Sequence, residues 1–195
     1  MLILIALAAH EAAHLISALF LKIKLDKIQV TLFGFNLNAD LESIDFSKKI
    51  LLFIAGPAFN LSLYFIFRNT EYSDFADINL FLAIINMIPI VPLDGGNISK
   101  TVLEIFLNLK TVCRYMIMTN TFFIVCFLVI IHMYENYLYF ILILMALKGI
   151  LEENKYLVEK SIKRSYNLIK FNNKNNWNIK NIKNIKKCKK IIEII

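Results

Sequence analysis

Hydrophobic residues in this chain are grouped into five long stretches, and most of the charged residues lie between or after them. A transmembrane helix needs ~20 mainly apolar residues to cross ~30 Å of hydrocarbon. The stretches are Met1–Leu21, Ile50–Phe67, Ile78–Pro92, Tyr115–Ile131 and Tyr137–Leu151. The pattern therefore predicts an all-α polytopic membrane protein with about five transmembrane helices.

The segment Leu25–Leu41 has a different pattern, in which apolar and polar residues partly alternate on both sides of Gly34. Alternation of this kind is typical of strands, because successive side chains of a strand point to opposite faces. We therefore expect a short membrane-associated β-hairpin between the first and second transmembrane helices.

Composition supports a membrane location. Hydrophobic residues make up 58% of the chain, against roughly 45–50% in ordinary soluble proteins. The three cysteines, Cys113, Cys126 and Cys188, are scattered and include no CxxC pair. They form neither a disulfide framework nor a zinc ribbon in sequence terms.

Charge is distributed unevenly along the chain. From Lys155 to the C-terminus, twelve Lys and Arg residues face only Glu159 and Glu193, a balance of +10 within a total of +7. This division predicts a membrane domain over residues 1–151 and a basic, low-complexity cytoplasmic tail over residues 152–195. The lipid bilayer is the partner that such a distribution implies, and no nucleic-acid partner is expected.

Basic loops orient the predicted helices. The relevant residues are Lys22, Lys24, Lys27, Lys48, Lys49, Lys110 and Arg114, together with the Lys-rich tail. With five crossings, all of them fall on one side of the membrane. The positive-inside rule assigns that side to the cytoplasm.

The first hydrophobic stretch contains HExxH, formed by His10, Glu11 and His14. Histidines four residues apart lie on one helix face, so both imidazoles can bind one Zn²⁺ ion. Glu11 would lie beside the metal, where a carboxylate can accept a proton from water. The alternative is that both histidines hydrogen-bond to neighbouring helices without a metal. Ionisable groups in mid-membrane are costly and usually functional, which favours the metal site.

A catalytic zinc site usually takes three protein ligands, so a third is expected. The candidate is Asp94 in the run Pro-Leu-Asp-Gly-Gly, where Pro89 and Pro92 interrupt the third hydrophobic stretch. Prolines break a helix, and an interrupted helix at membrane depth is tolerated where it is buried or lines a polar cavity. The remaining histidine, His132, is predicted to be an interfacial residue.

HExxH followed by NxxPxxPLDGG, with Gly56-Pro57-Ala58-Phe59-Asn60 between them as a GPxxN motif, resembles the site-2 protease family of intramembrane zinc metalloproteases. The resemblance covers residues 1–112 and implies a three-helix catalytic core. It implies one zinc ion per chain, bound by His10, His14 and Asp94. It also implies Glu11 as the general base, Asn86 as a catalytic polar group beside the zinc, and Asn60 as a support for the core.

The compact layout is similar to the branch containing the stage IV sporulation protein FB. This likeness implies regulated intramembrane proteolysis of a membrane-embedded substrate, such as a sigma-factor precursor in sporulation, with regulatory membrane proteins as further partners. Members of that branch usually have a helix before HExxH, so we expect that an N-terminal helix is missing from this sequence. Two alternatives are a non-catalytic zinc-binding membrane carrier and a membrane scaffold.

Overall fold

The computed structural model describes residues 1–23, 25–31, 34–39, 44–134 and 139–175. These residues form six helices and one pair of strands. In chain order the elements are α1 (Leu2–Phe20), β1 (Leu25–Thr31), β2 (Gly34–Ala39), α2 (Phe46–Phe67), α3 (Ser73–Asn86), α4 (Asp94–Phe106), α5 (Leu109–Tyr134) and α6 (Tyr139–Asn175).

The prediction of about five transmembrane helices is wrong for this structure. Among the described residues, three helices are long and apolar enough to cross a membrane, namely α1, α2 and α5. The predicted third and fifth spans correspond to α3 and α6, which fail the same criterion for different physical reasons.

The third hydrophobic stretch is divided, because its two prolines lie outside any helix. α3 already ends at Asn86, and a separate helix, α4, begins at Asp94. The 14 residues of α3 extend about 21 Å at 1.5 Å per residue, less than the ~30 Å of hydrocarbon. α6 begins with an apolar segment but becomes polar from Glu152 onward. Its apolar part is therefore too short to satisfy the criterion.

Between α1 and α2, β1 and β2 pair antiparallel, with Ile28 opposite Leu37 and Thr31 opposite Gly34. The side chains of this pair lie outside the described part of the structure. The membrane association that was predicted for a hairpin here is therefore not supported.

α1 ends in a hydrogen-bonded turn that reverses the chain. The Lys22 N–H donates to the Leu19 carbonyl and the Ile23 N–H donates to the Ala18 carbonyl. Lys22 has a φ of 54°. These two bonds and the left-handed residue define a Schellman motif. Ile23 then packs against Ala18 and Leu52, which joins the end of α1 to α2.

Helices α1, α2 and α3 pack against one another, and α4 contacts α2. Small residues line the contacts, including Ala6 and Ala18 of α1, Gly56 of α2, and Ala83 of α3. Small side chains allow membrane helices to approach closely, which strengthens dispersion contacts and interhelical hydrogen bonds.

Most apolar side chains of the three candidate spans face outward. Only 17–22% of the residues in their most apolar windows are buried within the protein. Exposed residues include Leu4, Leu19, Phe65, Phe122 and Leu128. An exterior of this kind is costly in water and favourable in lipid.

α5 and α6 pack along each other and hold the segment that connects α3 to α4. Ile90 and Leu93 of that segment lie in a buried cluster with Phe127 of α5 and Ala146 of α6. A partly buried ion pair between Lys100 Nζ of α4 and Glu153 Oε1 of α6, 2.5 Å apart, adds a further link. α6 continues without a break across residue 151, where the boundary between membrane domain and tail was predicted. Residues 176–195 of that tail lie outside the described part of the chain.

Candidate metal centre

α1 places both histidines of HExxH on its buried face. The buried residues of α1 are Ala6, His10, His14 and Ala18, each four positions after the last. His10 is 2% exposed and His14 is 7% exposed. Their rings meet edge to face, with centroids 4.8 Å apart. The helical period therefore presents two imidazoles to the interior of the bundle, as the i, i+4 spacing predicts.

Asp94 reaches the same point from a distant part of the chain. It is the first residue of α4, where a carboxylate interacts favourably with the positive end of the helix dipole. Its Oδ2 atom lies 3.1 Å from His10 Nε2 and 3.2 Å from His14 Nε2. The helix break that the prolines predict thus brings Asp94 to the HExxH motif across 80 or more residues of sequence.

The three atoms have the spacing of metal ligands. His10 Nε2 and His14 Nε2 are themselves 3.1 Å apart, so each side of the triangle measures 3.1–3.2 Å. Two ligands at ~2.0–2.1 Å from a tetrahedral Zn²⁺ ion are separated by about 3.3 Å. The group His10, His14 and Asp94 is a set that could hold a metal ion. Two imidazole nitrogens and one carboxylate oxygen therefore fit zinc in both chemistry and distance.

A backbone carbonyl of α2 orients His14. The Nδ1–H of His14 donates to the Leu52 carbonyl oxygen at 2.8 Å. Because a carbonyl can only accept, the proton of the neutral ring is on Nδ1 and the lone pair is on Nε2. Such an outer hydrogen bond is the usual device that orients a metal-binding histidine. Sequence patterns did not identify Leu52, since any residue supplies a carbonyl.

Gly56 provides the space in which the two histidines meet. A Cβ atom built at this position would collide with His14 Nε2 and lie 2.6 Å from His10 Nε2. Any larger residue would thus overlap the nitrogen atoms that converge on Asp94. The close approach of α2 to α1 at this point explains why the GPxxN motif has a glycine here.

The structure locates the other predicted site residues less directly. Glu11 adjoins His10, is partly exposed, and interacts electrostatically with His14. Asn86 is the last residue of α3, and its side-chain amide donates to the Leu82 carbonyl of the same helix at 3.0 Å. This bond stays within α3 and does not involve the histidines. The catalytic role of Asn86 therefore stays a prediction.

Asn60 lies one turn beyond Gly56 in α2 and is fully buried. Neither oxygen nor nitrogen of its side-chain amide has a hydrogen-bond partner among the described residues. The predicted role of Asn60 as a support for the core is therefore not explained by a hydrogen bond among the described residues. His132, in the last turn of α5, is exposed and does not belong to the metal-ligand group.

The sequence interpretation overlooked Asn120 in α5. Its side chain is fully buried and bonds to both peptide groups of Val91, three residues before Asp94. A signal was present, because an amide in the middle of the stretch Tyr115–Ile131 needs a partner within the protein.

The three candidate spans and the three-residue group together define a helical protein with a candidate metal centre beside apolar helices. The solved site-2 protease from Methanocaldococcus jannaschii superposes with a TM-score of 0.60 and 20% sequence identity, over 79% of this chain and 74% of that one. At this identity the similarity establishes the fold alone.

A curated relative matches by sequence. A protein of Synechocystis sp., whose name assigns it provisionally as a zinc metalloprotease, is 32% identical over 114 residues. The match covers 52% of this chain and 30% of the relative, so the chain spans less than a third of that protein's length. A search of protein-family models found no match. Both similarities support the resemblance to the site-2 protease family that the motifs carry.

Proposed function

We propose that this chain is an intramembrane zinc metalloprotease of the site-2 protease type, which hydrolyses a peptide bond in a membrane-embedded protein substrate. The observation that carries the proposal is the triangle of His10 Nε2, His14 Nε2 and Asp94 Oδ2, with sides of 3.1–3.2 Å, in which both histidines are buried and Asp94 is partly buried. An interior that holds three titratable groups without a functional reason would be costly in hydrocarbon.

In this proposal, His10, His14 and Asp94 hold the ion. When bound, zinc would supply the Lewis acidity needed to polarise a peptide carbonyl and to acidify water. Glu11 accepts the proton of the attacking water at its carboxylate and returns it to the leaving amine. The Leu52 carbonyl keeps the His14 lone pair directed at the ligand position. Asn86 donates to the substrate carbonyl after it releases Leu82, which would stabilise the developing oxyanion.

The substrate, the bilayer and the regulators belong to the same proposal. A substrate segment must be unwound to be cut, because helical peptide bonds are shielded by their own hydrogen bonds. A sigma-factor precursor in sporulation is the candidate that the branch resemblance suggests. Regulatory membrane proteins would act by controlling access to the site.

The metal assignment is tested by zinc content. Purified in detergent, the chain should contain about one zinc ion per molecule, since the three ligands form one site. His14→Ala should remove most of it, because two ligands bind a divalent ion far more weakly than three. Elemental analysis by mass spectrometry provides the measurement.

His132→Ala is the matched control, because it removes the one exposed histidine remote from the group, and it should keep its zinc. Full zinc retention in a triple His10, His14 and Asp94 alanine variant would contradict the assignment. A wild-type chain without zinc would favour a membrane scaffold. Zinc binding with an unaffected function in Glu11→Gln would favour a carrier, which needs no base.

We also propose that the basic loops and the C-terminal tail are cytoplasmic. Lys22 follows the first candidate span, Lys48 and Lys49 lie in the first turn of the second, and positive charge is retained on the cytoplasmic side. Reporter fusions after Asp45 and after Lys160 should both give cytoplasmic signals. An external signal at either site would contradict this orientation.

A further inference from the structure

The position of Asp94 depends on the short segment before it, residues 87–93, which is not helical or strand-like over most of its length. Val91 lies at the centre of the segment, and both of its peptide groups are bonded to a single side chain. The Val91 N–H donates to Asn120 Oδ1 at 3.1 Å, and Asn120 Nδ2 donates to the Val91 carbonyl at 2.9 Å. This two-bond pairing imitates the pairing between strands.

Asn120 is itself held in place. Its Nδ2 also donates to the Ala146 carbonyl of α6 at 3.1 Å, and the side chain is fully buried. Gly149 of α6 lies so close that an added Cβ would collide with the Val91 carbonyl and stand 2.5 Å from Asn120 Nδ2. α5 therefore bonds directly to Val91, and α6 holds the Asn120 amide and lies against the Val91 carbonyl.

A displacement of Val91 would also move Asp94, because the residues between them have little conformational freedom. Pro92 has a restricted φ angle, and the Leu93 N–H donates to the Ile90 carbonyl at 2.7 Å. The flanking Ile90 and Leu93 side chains are packed in the buried cluster with α5 and α6. The whole segment thus behaves as one unit whose polar anchor is Asn120.

We propose that Asn120 is a positioning residue for the metal centre, which holds the Val91 peptide so that Asp94 reaches His10 and His14. This inference rests on the proposed function, because it assigns a consequence for zinc binding. It extends the functional unit beyond residues 1–112 into α5, which carries none of the recognised motifs.

The test compares zinc affinity and loop protection in Asn120→Leu, which preserves approximate size and removes every hydrogen bond of the amide. Zinc affinity of the folded protein in detergent should fall about 10–100-fold, the range for loss of an outer-shell partner. Competition with a chromogenic chelator measures it. Hydrogen exchange of the zinc-free protein should become faster in peptides covering residues 87–95, because the Val91 N–H loses its acceptor.

Thr121→Val is the matched control. Thr121 is the next residue of α5, is exposed, and donates only to the Ile117 carbonyl of its own helix. Its zinc affinity and exchange should equal those of the wild type. Loss of affinity in this variant equal to that in Asn120→Leu would overturn the inference, since any change in α5 would then suffice. Unchanged zinc affinity in Asn120→Leu would also overturn the inference. Asn120 would then contribute to the stability of the fold without positioning the metal centre.

Gly149→Ala provides a second route if Asn120→Leu does not fold. It leaves the amide intact but pushes on the Val91 carbonyl, so zinc affinity should again fall, and wild-type affinity would overturn the inference. A wild-type chain that binds no zinc would defeat the proposed function instead. Hydrogen exchange would then test only whether Asn120 anchors Val91. Equal exchange rates in residues 87–95 of the wild type and Asn120→Leu would show that it does not.

Discussion

Glu11→Gln should abolish detectable proteolysis while leaving zinc bound. The substitution keeps the size and shape of the side chain but removes the carboxylate that accepts and returns a proton. Loss of positioned acid–base catalysis typically lowers the rate ~10²–10⁴-fold. Glu11 adjoins His10 in α1 without being one of the three converging ligands, so metal content should stay at the wild-type level.

The measurement is release of a tagged fragment from a single-span reporter protein reconstituted with the chain in liposomes, together with the zinc content of each sample. Glu71→Gln is the matched control, because Glu71 is exposed in the connection between α2 and α3. It should cleave at the wild-type rate. Wild-type cleavage in Glu11→Gln would mean that another group is the base.

Gly56→Ala should weaken zinc binding severely by filling the space between the histidines. The new Cβ would collide with His14 Nε2 and lie 2.6 Å from His10 Nε2. Neither ring can retreat freely, because His14 is tied to the Leu52 carbonyl and both side chains are buried. We expect zinc affinity to fall by more than about 100-fold, beyond the ~10–100-fold range for outer-shell changes.

Chelator competition measures this affinity, and circular dichroism checks that the helices persist. Ala58→Leu is the control, because it adds more volume two residues away on the exposed face of α2. It should bind zinc normally. Zinc affinity in Gly56→Ala equal to that of the wild type would show that the ion does not occupy the space between the two imidazoles.

Local patterns in the sequence predicted which three side chains the fold brings together, because their spacing and the helix break are encoded over short distances. The i, i+4 spacing of His10 and His14 is a property of one helix, and the structure places both on the buried face of α1. The prolines that precede Asp94 predicted a helix break, and α4 does begin at that residue. Convergence of Asp94 on the histidines followed from the requirement for a third ligand and from the family resemblance.

Hydrophobicity was less informative about the number of membrane-crossing helices. A window of apolar residues measures composition, and it does not detect where a helix ends. α3 ends at Asn86, three residues before the helix-breaking Pro89, and α6 continues as a helix far beyond its apolar part. In place of five predicted spans, the described residues form six helices, and three of these are long and apolar enough to cross a membrane.

The sequence by itself determined the candidate ligand types, the helical spacing of the histidines and the apolar character of the spans, since each depends on residues close together in the chain. Tertiary structure alone decided which partners orient those side chains. The Leu52 carbonyl, the space at Gly56 and the grip of Asn120 on Val91 depend on contacts between helices distant in sequence. A carbonyl has no sequence signature, a glycine's role depends on what approaches it, and an asparagine's partner is set by packing.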